Sequence, residues 1–241
     1  MKYLLFFFLI FINLNLFSQR DIHERWDFEL KKFVNQNGKV DYRNWSKNRN
    51  GLKAYISVLE QNHPKEYWSK NQVISYWINT YNALTINLIL DNFPLKSIKE
   101  IKNPWGEKLI HYKLKSYTLN EIEHEILRKM KEPRIHFAIN CASISCPNLS
   151  DSAYFSNTLN DQLDNSTKNF LKNKNSINPD EIKISKIFLW FKKDFGNRKM
   201  LLDFIEKYSM VKLNSPKIKY LAYDWNLNNI KKIYLILFIC Y

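Results

Sequence analysis

KNQVISYWINTYNALTINLILDN, residues 70–92, is the stretch that decides the fold. Trp77, Leu84 and Leu88 recur at helical spacing, and further apolar residues cover nearly the whole circumference of the predicted helix. A helix that is apolar all round lies inside a protein rather than on its surface. The sequence therefore predicts a central, buried helix that ends before Pro94.

Helical and extended segments alternate along the rest of the chain. The apolar spacing predicts helices over 21–36, 52–61, 118–131, 151–173 and 198–208. Alternating or short apolar runs predict extended segments over 107–118, 135–139, 182–184 and 187–190. No repeat or low-complexity linker divides the chain. We therefore expect an α+β fold, a single mostly helical domain with a small β-sheet around the central helix.

The beginning of the chain has the pattern of a secretory signal peptide. A short basic start precedes an apolar run over residues 3–17, and the small residue Ser18 stands where cleavage is expected. The apolar run is too short to cross a bilayer. We therefore expect 1–18 to be a signal peptide, 19–228 the domain and 229–241 a short apolar tail. The mature protein would be exported, periplasmic or secreted, without a transmembrane span.

Composition narrows the classes of partner and cofactor. The formal net charge is +14, but the lysines occur in short clusters and arginine is scarce, which is typical of solvated faces rather than of a nucleic-acid interface. We expect no nucleic-acid partner, and an envelope component is the remaining candidate. The four glycines are too scattered for a phosphate-binding or dinucleotide-binding loop. We expect no cofactor.

One polar loop concentrates the residue types that carry chemistry. The stretch RIHFAINCASISCP, residues 134–147, contains His136, Asn140, Cys141, Ser143, Ser145 and Cys146. If 135–139 is a strand, His136 and Asn140 share one face and point into a cleft at the strand end. Loops that follow strands often carry catalytic groups. These residues therefore predict a functional site but do not indicate which reaction it catalyses.

The two cysteines of this loop have three interpretations. In an oxidising compartment they form a disulfide. As free thiols, Cys141 or Cys146 is a nucleophile, with His136 or His124 as its base. Together with the same two histidines they would also make a tetrahedral zinc set. The spacing matches no common zinc motif, so we expect no metal, while the disulfide and the reactive thiol both stay open.

Two asparagines interrupt the central helix. Asn79 and Asn82 are three residues apart on one face, and a buried amide must find hydrogen-bond partners. The favoured interpretation is that they hydrogen-bond to loops and fix the fold. The alternative is direct contact with a substrate, in which Tyr81 joins them, and Ser143 and Ser145 contribute from the polar loop.

Several of these stretches, in this order, resemble the DUF547 family. They are YWINTYNAL at 76–84, LNEIEHEILR at 119–128, HFAINCASISCP at 136–147, the aromatic stretch 187–195 and YDW at 223–225, preceded by NGKVDY at 37–42. The resemblance covers about residues 25–228. It implies the family's domain but no activity, since the family's function is unknown. Plant relatives join the domain to a leucine zipper, which this chain lacks, so that partner role is not implied.

Two functions remain as hypotheses. The first is an exported enzyme that catalyses hydrolysis or group transfer at an acyl or related centre. Its catalytic residues would be Cys141 or Cys146, His136 or His124, and Asn140. The second is a non-catalytic envelope-binding domain whose polar loop is held in shape by a disulfide.

Overall fold

The structure is a computed structural model that describes residues 22–230 of the 241-residue chain. The predicted signal peptide and nearly all of the predicted tail lie outside these residues. The α-helices are α1 (22–33), α2 (Tyr42–Ser46), α3 (Asn50–Gln61), α4 (Lys70–Asp91), α5 (Leu159–Lys174), α6 (Ile187–Trp190) and α7 (Arg198–Ser209). The strands are β1 (Ile110–Tyr112), β2 (Lys115–Tyr117), β3 (Ser176–Ile177), β4 (Glu181–Ile184) and β5 (Lys217–Tyr220).

Helix α4 is the centre of the molecule, as the sequence predicts. It begins with a capping box, in which the Ser69 hydroxyl accepts the Gln72 backbone N–H and the Gln72 side chain accepts the Ser69 N–H. Trp77, Leu84 and Leu88 are all buried, and nearly every residue from 74 to 90 is shielded from solvent. The helix therefore packs against neighbours on all sides.

Two apolar clusters make up the interior. The larger one surrounds α4 and includes the stacked rings of Trp26, Trp45 and Tyr55 from α1, α2 and α3. The smaller cluster lies between α5, α7 and β4 and contains Phe137 and Phe170. Both clusters share the segment around Phe137, so this segment is anchored on two sides.

Two small sheets complete the α+β fold. Strands β1 and β2 form an antiparallel hairpin within the predicted extended segment 107–118. Strand β4 pairs antiparallel with β3 and parallel with β5. Between residues 22 and 230, no helix combines the length and the apolar character needed to cross a bilayer.

The predicted strand at 135–139 is wrong. Pro133–Phe137 is a 3-10 helix, with proline at its first position and the Glu132 carboxylate accepting the Arg134 backbone N–H. Ile135 enters the larger cluster and Phe137 the smaller one, while His136 faces a cavity between them. Three consecutive buried side chains thus point in three directions, which a strand does not allow.

Three other predicted segments differ in detail. Residues 187–190 form the short helix α6 rather than a strand, and α5 begins at Leu159 rather than near 151. The predicted helix over 118–131 has its capping box at Thr118 and Glu121, but Glu121–Leu127 is a π-helix followed by a 3-10 turn. Wide turns of this kind occur often at functional sites.

Candidate functional site

A cavity of about 260 Å³ lies where α4, the π-helix, the 3-10 helix and the polar loop meet. Its polar lining comes from Asn120, from Glu123 and His124 of the π-helix and from His136. Its floor is formed by Cys141, Cys146 and Pro147. Most of the remaining lining is aromatic and consists of Tyr81, Trp105, Trp190, Phe191, Tyr223 and Trp225. The cavity is therefore an apolar chamber with a few convergent polar groups, the usual character of a small-molecule site.

The aromatic wall is packed around Trp225. Its ring centroid lies 4.6 Å from that of Tyr223, 5.9 Å from that of Trp190 and 6.0 Å from that of Trp105. Trp190 is 46% exposed and forms part of the rim. Flat rings that hold one another in place present a preformed surface to a ligand with an apolar face.

His136 is held in one orientation by two contacts. Its Nε2 lies 2.7 Å from Asp194 Oδ2, and its ring stacks on Phe191 with centroids 4.1 Å apart. Burial lowers the pKa of His136 and outweighs the opposing effect of Asp194, so we assign a neutral ring whose Nε2–H donates to Asp194. Nδ1 then carries a lone pair. It has no hydrogen-bond partner in the described residues and lies 4.0 Å from Glu123 Oε1.

Asp194 anchors this polar group, although it was not among the site residues predicted from the sequence. Arg128 donates two hydrogen bonds to its carboxylate, at 2.6 and 2.8 Å. Burial alone would raise the pKa of Asp194, but the hydrogen bonds from His136 and Arg128 hold it well below its usual value. Arg128 also lies 2.9 Å from His124 Nδ1, and burial together with Arg128 lowers the pKa of His124. The only sequence signal for Asp194 was its place in the 187–195 motif.

Glu123 is the carboxyl group that faces the cavity. Burial raises its pKa to about 7, although the hydrogen bond from the Tyr81 hydroxyl, at 3.4 Å, and the charge of Arg128 oppose the shift. A buried carboxyl beside an oriented histidine in a cleft is a typical functional candidate. The site residue predicted from the sequence was its neighbour His124. The signal that could have found Glu123 was its place in the 119–128 motif.

Cys141 and Cys146 are joined by a disulfide, which confirms one of the three interpretations. In this state neither sulfur is a free nucleophile, and neither is available as a thiolate ligand for zinc. Among residues 22–230, no group of three or more histidine, cysteine or carboxylate side chains is arranged to hold a metal ion.

The two helix asparagines bind loops instead of facing the cavity. Asn79 donates to the Tyr154 carbonyl and accepts the Tyr154 N–H, at 2.8 and 2.9 Å. Asn82 donates to the Ala138 carbonyl and accepts the Asn140 N–H, at 2.9 and 2.8 Å. Each amide thus satisfies both polar groups of a buried backbone segment. Asn82 thereby fixes the loop that carries the disulfide.

The other predicted polar residues also shape the loop. The Asn140 side chain donates to the Pro147 carbonyl and accepts the Ala142 N–H. The Ser145 hydroxyl accepts the Asp224 N–H, and the Ser143 hydroxyl contacts Tyr223. Of the residues selected from sequence, the structure gathers Tyr81, His124, His136, Cys141 and Cys146 around one cavity. It places Asn79, Asn82, Asn140, Ser143 and Ser145 outside that lining.

Replacing Asn82 by alanine should lower the unfolding free energy by about 2–4 kcal/mol, because it leaves a buried carbonyl and a buried N–H without partners. Chemical denaturation measures the change. Asn71→Ala, in the first turn of the same helix, is the matched control, since it removes only one long hydrogen bond of 3.4 Å. Equal losses in the two variants would show that Asn82 does not hold the loop.

Comparison with known proteins identifies the domain. Residues 65–171 match the family model described as a protein of unknown function, DUF547. The chain therefore contains a DUF547 domain, and the matched range covers α4, the π-helix and the disulfide loop. Asp194 and the aromatic residues near the end of the chain lie beyond this range. No curated protein and no solved structure matches the chain significantly.

Proposed function

We propose that the aromatic cavity is the active site of an exported enzyme that catalyses hydrolysis or group transfer at an acyl or related centre. Glu123 is its general acid–base group. One observation carries the proposal: the Glu123 carboxyl is buried in the cavity beside a histidine that Asp194 holds in a fixed orientation. Pairs of this kind occur where proton transfer is needed.

The chemistry follows from the protonation states. A carboxyl with a pKa of about 7 is present in both forms near neutral pH, so it can remove a proton and return it within one cycle. As a carboxylate, Glu123 activates a water molecule or a substrate hydroxyl. As an acid, it protonates the leaving group. His136 Nδ1 lies 4.0 Å from Glu123 Oε1, beyond hydrogen-bond distance, so the neutral His136 ring borders the carboxyl without bonding to it.

The nucleophile differs from the sequence hypothesis. Because Cys141 and Cys146 are bonded to each other, the nucleophile in this state is the oxygen that Glu123 activates. The disulfide then serves as part of the cavity floor. The volume of about 260 Å³ suits a single ring or a short acyl chain, and the aromatic wall favours an apolar face on that group.

The test is a screen of chromogenic esters, amides and glycosides with the purified protein. The proposal expects turnover of at least one class, and expects that turnover to depend on Glu123. Binding of such a compound in the cavity without turnover would instead support the second candidate.

That second candidate is a non-catalytic envelope-binding domain. It is favoured by the rigid loop, which is closed by a disulfide and fixed by Asn82 and Asn140. The partner would be an envelope component rather than nucleic acid.

Export is part of the proposal and has its own prediction. The disulfide and the apolar run near the beginning of the chain support an oxidising compartment. N-terminal sequencing of protein recovered from the envelope or the medium should begin just after Ser18 or Gln19. A sequence that still begins at Met1 would contradict removal of a signal peptide.

A further inference from the structure

The Cys141–Cys146 disulfide lies where another molecule can reach it. Both sulfur-bearing residues line the aromatic cavity. Cys141 is only half-buried, whereas Cys146 is buried with 4% of its surface exposed. A disulfide that only cross-links two segments needs no such access. An attacking group that enters the cavity would therefore meet the sulfur of Cys141 first.

Both sulfurs lie near hydroxyl groups, since Ser143 Oγ and the Tyr223 hydroxyl are 3.3 and 3.4 Å from the sulfur of Cys141. Only the sulfur of Cys146 also accepts a backbone N–H. The Cys141 backbone N–H lies 3.0 Å from it, and the Tyr223 hydroxyl lies 3.2 Å from it. Burial raises the pKa of Tyr223 to about 12, so the hydroxyl keeps its proton and can donate. Donors aimed at a sulfur stabilise its thiolate and make it a better leaving group.

We propose that this disulfide undergoes thiol–disulfide exchange with a small thiol compound that enters the cavity. Cys141 is the sulfur that is attacked, and Cys146 is the thiolate that leaves. The activity goes beyond the proposed acid–base function and does not involve Glu123, so either proposal can fail alone.

The exchange balances as two substitutions. A thiolate attacks Cys141 Sγ, a bond forms between the two sulfurs, and the Cys141–Cys146 bond breaks, with its electron pair leaving on Cys146. A second thiolate then attacks the sulfur of the bound compound and releases Cys141 as a thiolate. In total, two thiols are oxidised to one disulfide, and the protein disulfide takes up two electrons and the two thiol protons.

The loop can keep its shape when the disulfide opens. Asn82 still accepts the Asn140 N–H, and Ser145 still accepts the Asp224 N–H. The ring closed by the disulfide is short, so its opening releases little chain entropy. Reduction should therefore leave the fold intact.

The first test compares reduction of the folded protein by glutathione with reduction of the oxidised peptide 139–149. Both are followed by alkylation and mass spectrometry. The protein carries the Cys240→Ser substitution, so that Cys141 and Cys146 are the only cysteines that can be alkylated. Reduction should be about threefold or more faster in the folded protein, because its leaving thiolate is stabilised. Slower reduction in the folded protein would overturn the proposal, since a purely structural disulfide is shielded by folding.

The second test uses the different exposure of the two cysteines. In the same Cys240→Ser background, Cys146→Ser leaves Cys141 free, and Cys141→Ser leaves Cys146 free. With oxidised glutathione, Cys141 should form the mixed disulfide about tenfold faster than Cys146, because Cys141 is half-buried and Cys146 is buried, and this difference in access outweighs the stabilisation of the Cys146 thiolate. Circular dichroism shows that each variant is folded. Equal rates would overturn the assignment of Cys141 as the sulfur that is attacked.

The third test addresses Tyr223 as a positioning residue. Tyr223→Phe removes the hydroxyl donor and keeps the ring that packs on Trp190 and Trp225. Reduction of the disulfide should slow by about threefold, because the leaving sulfur loses one of its two donors. An unchanged rate in a folded variant would contradict stabilisation of the thiolate by Tyr223.

Discussion

Glu123→Gln should lower kcat/KM by a factor of about 10²–10⁴ for any substrate that the screen identifies, the usual range for loss of a general acid–base group. Glutamine has the same size and can still accept the hydrogen bond from Tyr81, but it cannot take up or release a proton near neutral pH. The expected loss lies in kcat more than in KM, because the proton transfer occurs in the transition state.

Glu125→Gln is the matched control for this variant. Glu125 lies on the same π-helix, but it is exposed and pairs with Lys129 at the surface. Its replacement should leave kcat/KM within about twofold, as expected for a surface ion pair far from the reacting atoms. If Glu123→Gln retains the wild-type value, or if both variants lose activity equally, Glu123 is not the acid–base group.

Acid should destabilise the protein through His23. Burial lowers the pKa of His23 to about 3, whereas an unfolded histidine has a pKa of about 6.5. Between these values the unfolded chain binds a proton that the folded protein does not, so the unfolding free energy falls as the pH falls. At 1.36 kcal/mol per pKa unit, the His23 contribution lost by pH 3 is roughly 4–5 kcal/mol.

The contacts of His23 explain why it stays neutral. Its Nδ1 lies 2.7 Å from the Tyr55 hydroxyl, and its ring packs among Tyr55, Tyr76 and Phe155. Nε2 is buried without a hydrogen-bond partner in the described residues, and no carboxylate is bonded to the ring to stabilise a positive charge. His124 and His136, whose pKa values burial also lowers, act in the same direction.

Urea denaturation at a series of pH values between 7 and 4 measures this effect. His23→Gln should flatten the dependence of the unfolding free energy on pH in that window. If His23→Gln does not fold, an NMR titration of the wild-type histidines gives the same information. A His23 ring that becomes protonated near pH 6.5 would contradict the prediction.

The parts of the fold that the sequence predicts are those governed by local patterns. The apolar circumference of 70–92 identified α4, but the capping box of Ser69 and Gln72 that begins it was recognised only in the structure. Thr118 and Glu121 predicted the start of the helix after the hairpin, although the wide turns of that helix leave no signature in apolar spacing. These signals involve neighbours within one or two turns, which a single sequence contains in full.

The prediction of a strand at 135–139 failed because the apolar residues of this segment pack into two different clusters. Ile135 and Phe137 look like the buried face of a strand, but they enter separate clusters on either side of a short 3-10 helix. Only the positions of α4 and α5 decide between these arrangements. Short apolar runs cannot be assigned from their periodicity alone.

The site depended most on contacts between distant parts of the chain. Asp194 and His136 are 58 residues apart in the sequence. No local sequence pattern near either residue predicts that they form a hydrogen bond. The pKa of Glu123 depends on burial beneath aromatic side chains from later segments. The loop and its cysteines could therefore be predicted from the sequence. The carboxyl groups of Glu123 and Asp194 could not.

The most direct test of the account is the titration of Glu123 itself. Protein labelled with carbon-13 at the glutamate carboxyl groups is titrated by NMR, and Glu123→Gln identifies the signal that belongs to this residue. We expect a midpoint near pH 7 for Glu123, because burial in the cavity raises its pKa. A midpoint at the ordinary glutamate value of about 4.3 would show a solvated carboxylate and would contradict an acid–base role for this cavity.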